Sequence, residues 1–354
     1  MAGGNSVNTF LERSRSAKKI IVVDFGFLGD SIHLIPALWE IKRHYPQAQL
    51  HTLSAPVGAE LLKLAPCVDR AWDYPLTPQS PPWWRHSGIL RKLRGEHFDV
   101  AFNFSGADRS IFVTTAIGAR WTLAHEGGRK HFWNRWLPAE WVGKISQEIP
   151  VYEQRRQVLA AAGFTLEPAR FDLRVPDDAK QWAEKEITGQ PIHFSISASS
   201  PVKEWPLENW IGLTQLLMRE KPPIPIVATA GANSREQAKL KELTQATTGA
   251  PVQCLEGLSV ARLAAALQRC RLHVGGDSGA LHLAMALGIS TVTVFRRYKG
   301  LAEWIPPGAQ HRNVMVDCRC IAEKKDACLM AGRSECLGSI TPQQVFAEIG
   351  PILK

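Results

Sequence analysis

IIVVDFGFLGDSIHLIPALWEIKRH, Ile20–His44, is the stretch that decides the fold. Ile20–Val23 is a run of four β-branched residues, the pattern of a strand buried on both faces. A turn carrying Gly26 and Gly29 follows it. From about Asp30, Ile32, Ile35, Leu38 and Ile41 recur at helical spacing until Pro46 ends the helix. A buried strand feeding directly into a helix is the first half of a β-α-β unit, and such units come in series. Further apolar runs stand at Gln49–Leu53, Val100–Phe104 and Trp121–Ala124. A second set begins near Ile192 with HFSIS and continues at Pro225–Ala230, Val252–Leu255, Leu272–Gly276 and Ser290–Phe295. Helix-like stretches such as Pro206–Glu220 and Val260–Cys270 separate them, so the expected class is α/β with parallel sheets.

Glu153–Thr188 has helical character around a loop at Pro176 and links two similar halves. The expected domains are residues 1–175 and 176–340. A last helix within 341–354, opened by Thr341 and Pro342, is expected to pack back on the N-terminal domain. The length of 354 residues suits two domains at roughly 100–200 residues each. With 45% apolar and 21% charged residues the composition excludes a disordered, collagenous or disulfide-dense chain. Lys and Arg outnumber Asp and Glu by 42 to 33, a formal +9, which favours anionic partners. Residues 1–165 hold 20 of these cations against 14 acids, and eight of the 12 Trp. No run approaches the roughly 18 apolar residues of a membrane span, and no signal-peptide pattern opens the chain, so a cytoplasmic location is expected.

Three segments can carry chemistry. In HVGGDSGALHLAMALG, His273–Gly288, a buried strand ends in two glycines and a helix begins at Asp277 and Ser278. Free amides at such a start, with the Ser278 hydroxyl and His282 one turn on, form an anion site; the plain alternative is an N-cap and a satisfied histidine. Gly-Asp-Ser-Gly also surrounds a nucleophile in trypsin-like proteases, but those are all-β. In FGFLGDSIHLIPAL, Phe25–Leu38, the glycines form neither a dinucleotide fingerprint nor a P-loop. Asp30 stands at the helix start, either as a general base toward a hydroxyl or as a cap whose pKa the helix dipole holds low. In SASSPVKEWPLENW, Ser197–Trp210, Ser199, Ser200 and Lys203 follow a strand and could grip a diphosphate, or could be a solvated loop.

Together these segments resemble glycosyltransferase family 9, the lipopolysaccharide heptosyltransferases. The family has Gly-Asp-x-hydrophobic-x-x-x-Pro-x-Leu after its first strand, here Gly29–Leu38, and Lys-x-Trp-Pro opening its second domain, here Lys203–Pro206. Its Asp-Ser/Thr-Gly-x-x-His-Leu-x-x-Ala-Leu segment is here Asp277–Leu287. The resemblance implies a GT-B architecture, two Rossmann-like domains whose parallel sheets face a central cleft. It also implies an inverting sugar transfer that needs no metal, with ADP-L-glycero-D-manno-heptose as donor and the lipopolysaccharide inner core as acceptor. Position by position, it makes Asp30 the catalytic base and Lys203 the donor-phosphate lysine, with Ser199 and Ser200 as nearby phosphate hydroxyls. Asp277 becomes the acid that holds the sugar hydroxyls, and Ser278, Gly279 and His282 the phosphate-facing helix start. The chain departs from the pattern at Asp24, where the family commonly has a basic residue, and at Arg296, Arg297 and Tyr298, where it usually continues Gly-Pro-Thr.

Two stretches mix Trp with cations, PPWWRHSGILRKLR (Pro81–Arg94) and GGRKHFWNRWLPAEW (Gly127–Trp141). Beside this resemblance they suit an anionic glycolipid acceptor at the inner membrane better than nucleic acid, with Arg91, Lys92, Arg129 and Lys130 as candidates. A Trp-rich core with solvated charge is the plain alternative. Cys318, Cys320, Cys328 and Cys336 cluster within 19 residues at a spacing unlike the usual zinc pairs. Some autotransporter heptosyltransferases of the family hold iron through four cysteines in this region. A structural zinc or iron and free thiols in an ordered loop both stand as readings. Two alternatives to the function remain: a transferase of the same fold with another nucleotide sugar or a protein acceptor, or a non-catalytic binding module.

Overall fold

The Ile20–Val23 run lies at the centre of a sheet and is fully buried. In the computed structural model, residues 9–76, 86–105, 107–125, 139–143, 145–146, 148–318 and 334–353 are described. The chain divides into two units, Met1–Arg174 and Val175–Lys354.

The first unit has β1 (Lys19–Asp24), β2 (Gln49–Ser54), β3 (Arg70–Asp73), β4 (Val100–Asn103), β5 (Trp121–His125) and β6 (Glu140–Val142). All pairs are parallel, in the order β3-β2-β1-β4-β5-β6. The second has β7 (Ile192–Ser195), β8 (Ile226–Ala230), β9 (Val252–Glu256), β10 (Leu272–Gly275), β11 (Thr291–Arg297) and β12 (His311–Asp317), again all parallel, in the order β12-β11-β10-β7-β8-β9. Each sheet thus has the doubly wound order, with its winding reversing between its first and fourth strands. Ligands of such sheets bind beyond the carboxyl ends of the strands at that reversal. In the first unit these ends are Asp24 and Asn103; in the second they are Ser195 and Gly275.

The helix after β1 runs Leu28–His44, two residues earlier than its apolar periodicity suggested, and contributes Leu34, Ile35, Leu38 and Ile41 to the core beside Ile20 and Val22. In the second unit Ile192, Phe194, Ile226, Leu272, Val274 and Val292 bury one sheet face against Trp205 and Trp210. The other face mixes apolar residues such as Val227 and Phe295 with polar ones: His193, Ser195, Thr229, His273, Thr291 and Thr293 are all buried. His193 and His273 are register partners on β7 and β10, stacked with ring centroids 5.0 Å apart and Nδ1 atoms 2.8 Å apart. His193 Nε2 lies 3.0 Å from Thr229 Oγ1. Burial pushes the His193 pKa down to about 3 and that of His273 well below its usual value.

The C-terminal helix, Pro342–Leu353, is capped by Thr341 as anticipated, its Oγ1 accepting from the Gln344 N–H at 3.3 Å. Its Val345 and Ile349 lie fully buried in the second unit's core, not in the N-terminal domain, because that core offers its apolar stripe the Leu207–Met218 helix and the β11–β12 edge. Strands β3, β6 and β12 were not anticipated. Among the described residues no helix is long and apolar enough to cross a membrane.

Candidate functional site

At the first reversal, Asp30 is the third residue of its helix and its Oδ2 accepts the Phe27 N–H at 2.9 Å. It therefore closes the turn as a cap would. Its pKa is nevertheless raised: burial opposes the charge most strongly and Asp24 adds to this, whereas Arg155 and the Phe27 amide work against it. The expectation of a dipole-depressed carboxyl is thus reversed, because losing water outweighs the amides gained. A carboxylate of raised pKa is a better proton acceptor.

Behind Asp30 is a buried ion pair that sequence reasoning missed. Arg155, from the Val151–Ala161 helix, donates from Nη2 to Asp24 Oδ2 at 2.6 Å and from Nη1 to the backbone oxygen of Asp30; the two side chains are 8% and 1% exposed. Asp24 Oδ1 also accepts the Gly26 N–H at 2.8 Å. Asp24, the departure from the family's basic residue, is therefore a fastener for the turn that presents Asp30. Gly26 is required by close approach, since a Cβ there would stand 2.2 Å from Asp30 Cβ. The only hint in the sequence was an acid ending a buried strand, which needs a cation from somewhere.

At the second reversal the loop after β7 crosses the loop after β10. A Cβ on Gly276 would meet the Lys203 backbone oxygen at 2.9 Å, which explains the second glycine of the pair. Lys203 Nζ donates to Asp277 Oδ2 at 2.7 Å. Asp277 is thus engaged by an ammonium, and Ser278, at the N-cap position of the Gly279–Ala286 helix, makes no side-chain cap bond. Its Oγ lies 3.4 Å from Ser195 Oγ. His282, 2% exposed, has Nε2 4.0 Å from Asp277 Oδ1; burial pushes its pKa down to about 4, Asp277 opposing and Lys203 assisting. Tyr298 bonds Asp277 too, and burial raises its pKa. Ser199 is exposed and Ser200 half-buried just before the Pro201–Lys203 turn. Glu204 fixes this loop: it accepts the Ala198 N–H at 2.9 Å, pairs with Lys239 at 3.1 Å and is bonded by Arg235. So Lys203, Asp277, Ser278, Gly279 and His282 come together, with an ammonium, a carboxylate, a neutral imidazole and open helix amides. Such a set has the chemistry to hold a diphosphate beside sugar hydroxyls. Among the described residues Arg297 has only a loose surface pair with Asp317, 3.7 Å apart.

Arg91 and Lys92 lie on the exposed side of the Ser87–Gly95 helix, which buries Leu90 and Leu93; Arg129 and Lys130 lie outside the described residues. Several Trp of the first unit carry a guanidinium on the ring, with Arg70 3.6 Å from the Trp72 centroid and Arg170 4.2 Å from that of Trp39. Cys318 is buried at the end of β12, and Cys336 Sγ lies 3.1 Å from Ser334 Oγ. Cys320 and Cys328 lie outside the described residues, and among those described no three potential ligands converge for a metal.

The profile of glycosyltransferase family 9 (heptosyltransferase) matches residues 87–333. Lipopolysaccharide heptosyltransferase 1 of Pseudomonas aeruginosa is 25% identical over 293 residues, 78% of either chain. Among solved structures, a family 9 glycosyl transferase from Veillonella parvula superposes with a TM-score of 0.81 at 18% identity, covering 95% of this chain and 97% of that one. The Escherichia coli ADP-heptose lipopolysaccharide heptosyltransferase II gives 0.75 at 20% identity, covering 95% and 98%.

Proposed function

Because the chain belongs to glycosyltransferase family 9 and is a glycosyltransferase of GT-B fold, we propose that it transfers heptose from ADP-L-glycero-D-manno-heptose to the lipopolysaccharide inner core, with inversion. Support for heptose and for this acceptor comes from the heptosyltransferases it is similar to. The observation that carries the chemistry is that the three motif segments stand at the two sheet reversals, where doubly wound folds bind ligands.

In this reading the acceptor hydroxyl gives its proton to Asp30 as its oxygen bonds the anomeric carbon. The bond from that carbon to the β-phosphate oxygen breaks, and its electron pair leaves with ADP. Attack from the face opposite the leaving group inverts the centre through an oxocarbenium-like state. Charge growing on the diphosphate falls to Lys203, the Gly279–Ala286 amides and His282, with Ser199, Ser200 and Ser278 as further donors. Asp277 holds sugar hydroxyls. With that much positive potential from the chain, the reaction needs no metal. Arg91, Lys92, Arg129 and Lys130 meet acceptor phosphates at the cytoplasmic face of the inner membrane, where the protein is peripheral and binds no nucleic acid. The four-cysteine cluster has no part in the chemistry; it holds zinc or iron structurally or remains as thiols.

Thermal stabilisation by a panel of nucleotide sugars tests the donor, since a ligand bound only by the folded state raises its stability. ADP-heptose should shift the transition; a shift with UDP- or GDP-sugars alone rejects the assignment. Asp30→Asn should abolish transfer while ADP still binds.

A further inference from the structure

Among the described residues only two large apolar side chains are openly exposed, Phe27 at 75% and Val57 at 38%. They are not scattered. Phe27 comes three residues after Asp24, the last of β1, and Val57 three after Ser54, the last of β2; Asp24 and Ser54 are register partners. Phe27 therefore stands at the N-cap of the helix after β1 and Val57 in the first turn of the Pro56–Leu62 helix after β2, both beyond the carboxyl edge of one sheet, the edge that carries Asp30. Phe27 is also held in place. Its N–H donates to the Asp30 carboxylate at 2.9 Å, and the preceding Gly26 is backed against Asp30 Cβ. Phe25, two residues earlier, already supplies the loop's inward anchor, stacked on Tyr74 with centroids 4.9 Å apart. An aromatic ring left 75% exposed beside the Asp30 carboxylate is open to a ligand that meets both.

We propose that Phe27 is the platform on which the acceptor's saccharide ring lies while Asp30 takes the hydroxyl proton. This rests on the reading of Asp30 as the base. A pyranose has a face of C–H bonds and a rim of hydroxyls. Its C–H face meets the electron-rich face of an aromatic ring, and both leave water. The rim is then left to the carboxylate three residues further on. A phosphate gains nothing from phenyl carbons, so this platform selects the acceptor's sugar ring, and the acceptor's phosphates bind elsewhere.

The test uses heptose-less lipopolysaccharide, deacylated, with ADP-heptose and the full-length enzyme. Phe27→Ala should raise the acceptor KM about tenfold, with donor KM and ADP affinity unchanged. Phe27→Trp should restore most of the loss and Phe27→Leu only part of it. Calorimetric binding of the same deacylated acceptor to the donor-free enzyme should weaken in parallel, a readout that needs no turnover. An unchanged acceptor KM, an equal rise in donor KM, a loss seen only with acylated acceptor, or no acceptor binding by the wild type overturns the proposal. Asp30→Asn separates the premises: retained turnover removes the base assignment and this inference with it, whereas an inactive Asp30→Asn beside an unaffected Phe27→Ala removes the platform alone.

Discussion

Arg155→Met should both loosen the first unit and move the acid limb of the pH–rate profile. The substitution leaves Asp24, 1% exposed, without the guanidinium 2.6 Å away, and strips the backbone oxygen of Asp30 of its donor. Removing one partner of a buried pair costs about 3–5 kcal/mol, because the remaining charge is uncompensated. For a unit the size of Met1–Arg174, at about 2–4 °C per kcal/mol, the loss in Tm is about 10 °C. The second consequence concerns Asp30. Burial raises its pKa and Arg155 is the largest influence opposing that rise, so without Arg155 the pKa climbs further. Because Asp30 must be ionised to accept a proton, the acid limb of kcat/KM should move to higher pH. Asp24→Asn in the same chain should return part of both losses, since it removes the stranded charge and also a carboxylate that pushes Asp30 up. Scanning calorimetry and pH–rate profiles on the two variants are the assays. A drop in Tm below about 2 °C together with an unmoved limb refutes the reasoning.

Gly276→Ala drives a Cβ to 2.9 Å from the Lys203 backbone oxygen, so the crossing loops must part; about 1–3 kcal/mol of stability should go, with weaker ADP binding by titration, and wild-type ADP affinity would contradict the crossing. His282, with a pKa near 4, is neutral through the physiological range. ADP affinity should therefore show no step with a midpoint near the ordinary histidine value, and should respond to His282 only as pH falls toward 4. EDTA should leave the transfer rate unchanged. Metal analysis of the purified protein before any chelator is added decides the cysteine cluster: one equivalent of zinc or iron assigns Cys318, Cys320, Cys328 and Cys336 to a structural centre, and less with an intact fold assigns them as thiols.

What the sequence displayed, and what it hid, follows from burial. Strands β1, β2, β4, β7, β8, β10 and β11 are interior to their sheets and covered on both faces, so they read as apolar runs such as Ile20–Val23. The three that escaped notice, β3, β6 and β12, are all sheet edges. RAWD and EWV are short and half-exposed, and HRNVMVD mixes polar with apolar, as edges do. The site divided in the same way. Asp30, Lys203, Asp277 and His282 were legible because each stands at a strand-to-helix junction marked by glycine or proline. Arg155 was not, because its partner Asp24 is 131 residues away along the chain, and nothing local in QRRQ distinguishes an arginine that will be buried from one that stays in water. The reversal of Asp30's pKa was equally invisible, since a cap and a desolvated carboxyl have the same sequence.

The His193–His273 contact constrains where the protons sit at the centre of the second sheet. Two neutral imidazoles meeting Nδ1 to Nδ1 cannot both carry hydrogen there, nor can both be bare, so the rings are obliged to be opposite tautomers. If His193 bears the hydrogen on Nδ1, its Nε2 must accept from the Thr229 hydroxyl, and His273 carries its own hydrogen on Nε2. In the other arrangement every one of these roles is exchanged. Passing between the two states requires hydrogens to shift on both rings and the Thr229 hydroxyl to turn. His273 Nε2 is buried with no hydrogen-bond partner among the described residues, so the arrangement that leaves it bare and sends the His193 Nε2 hydrogen to Thr229 is the less costly one, readable as a matched pair of opposite imidazole ¹⁵N patterns.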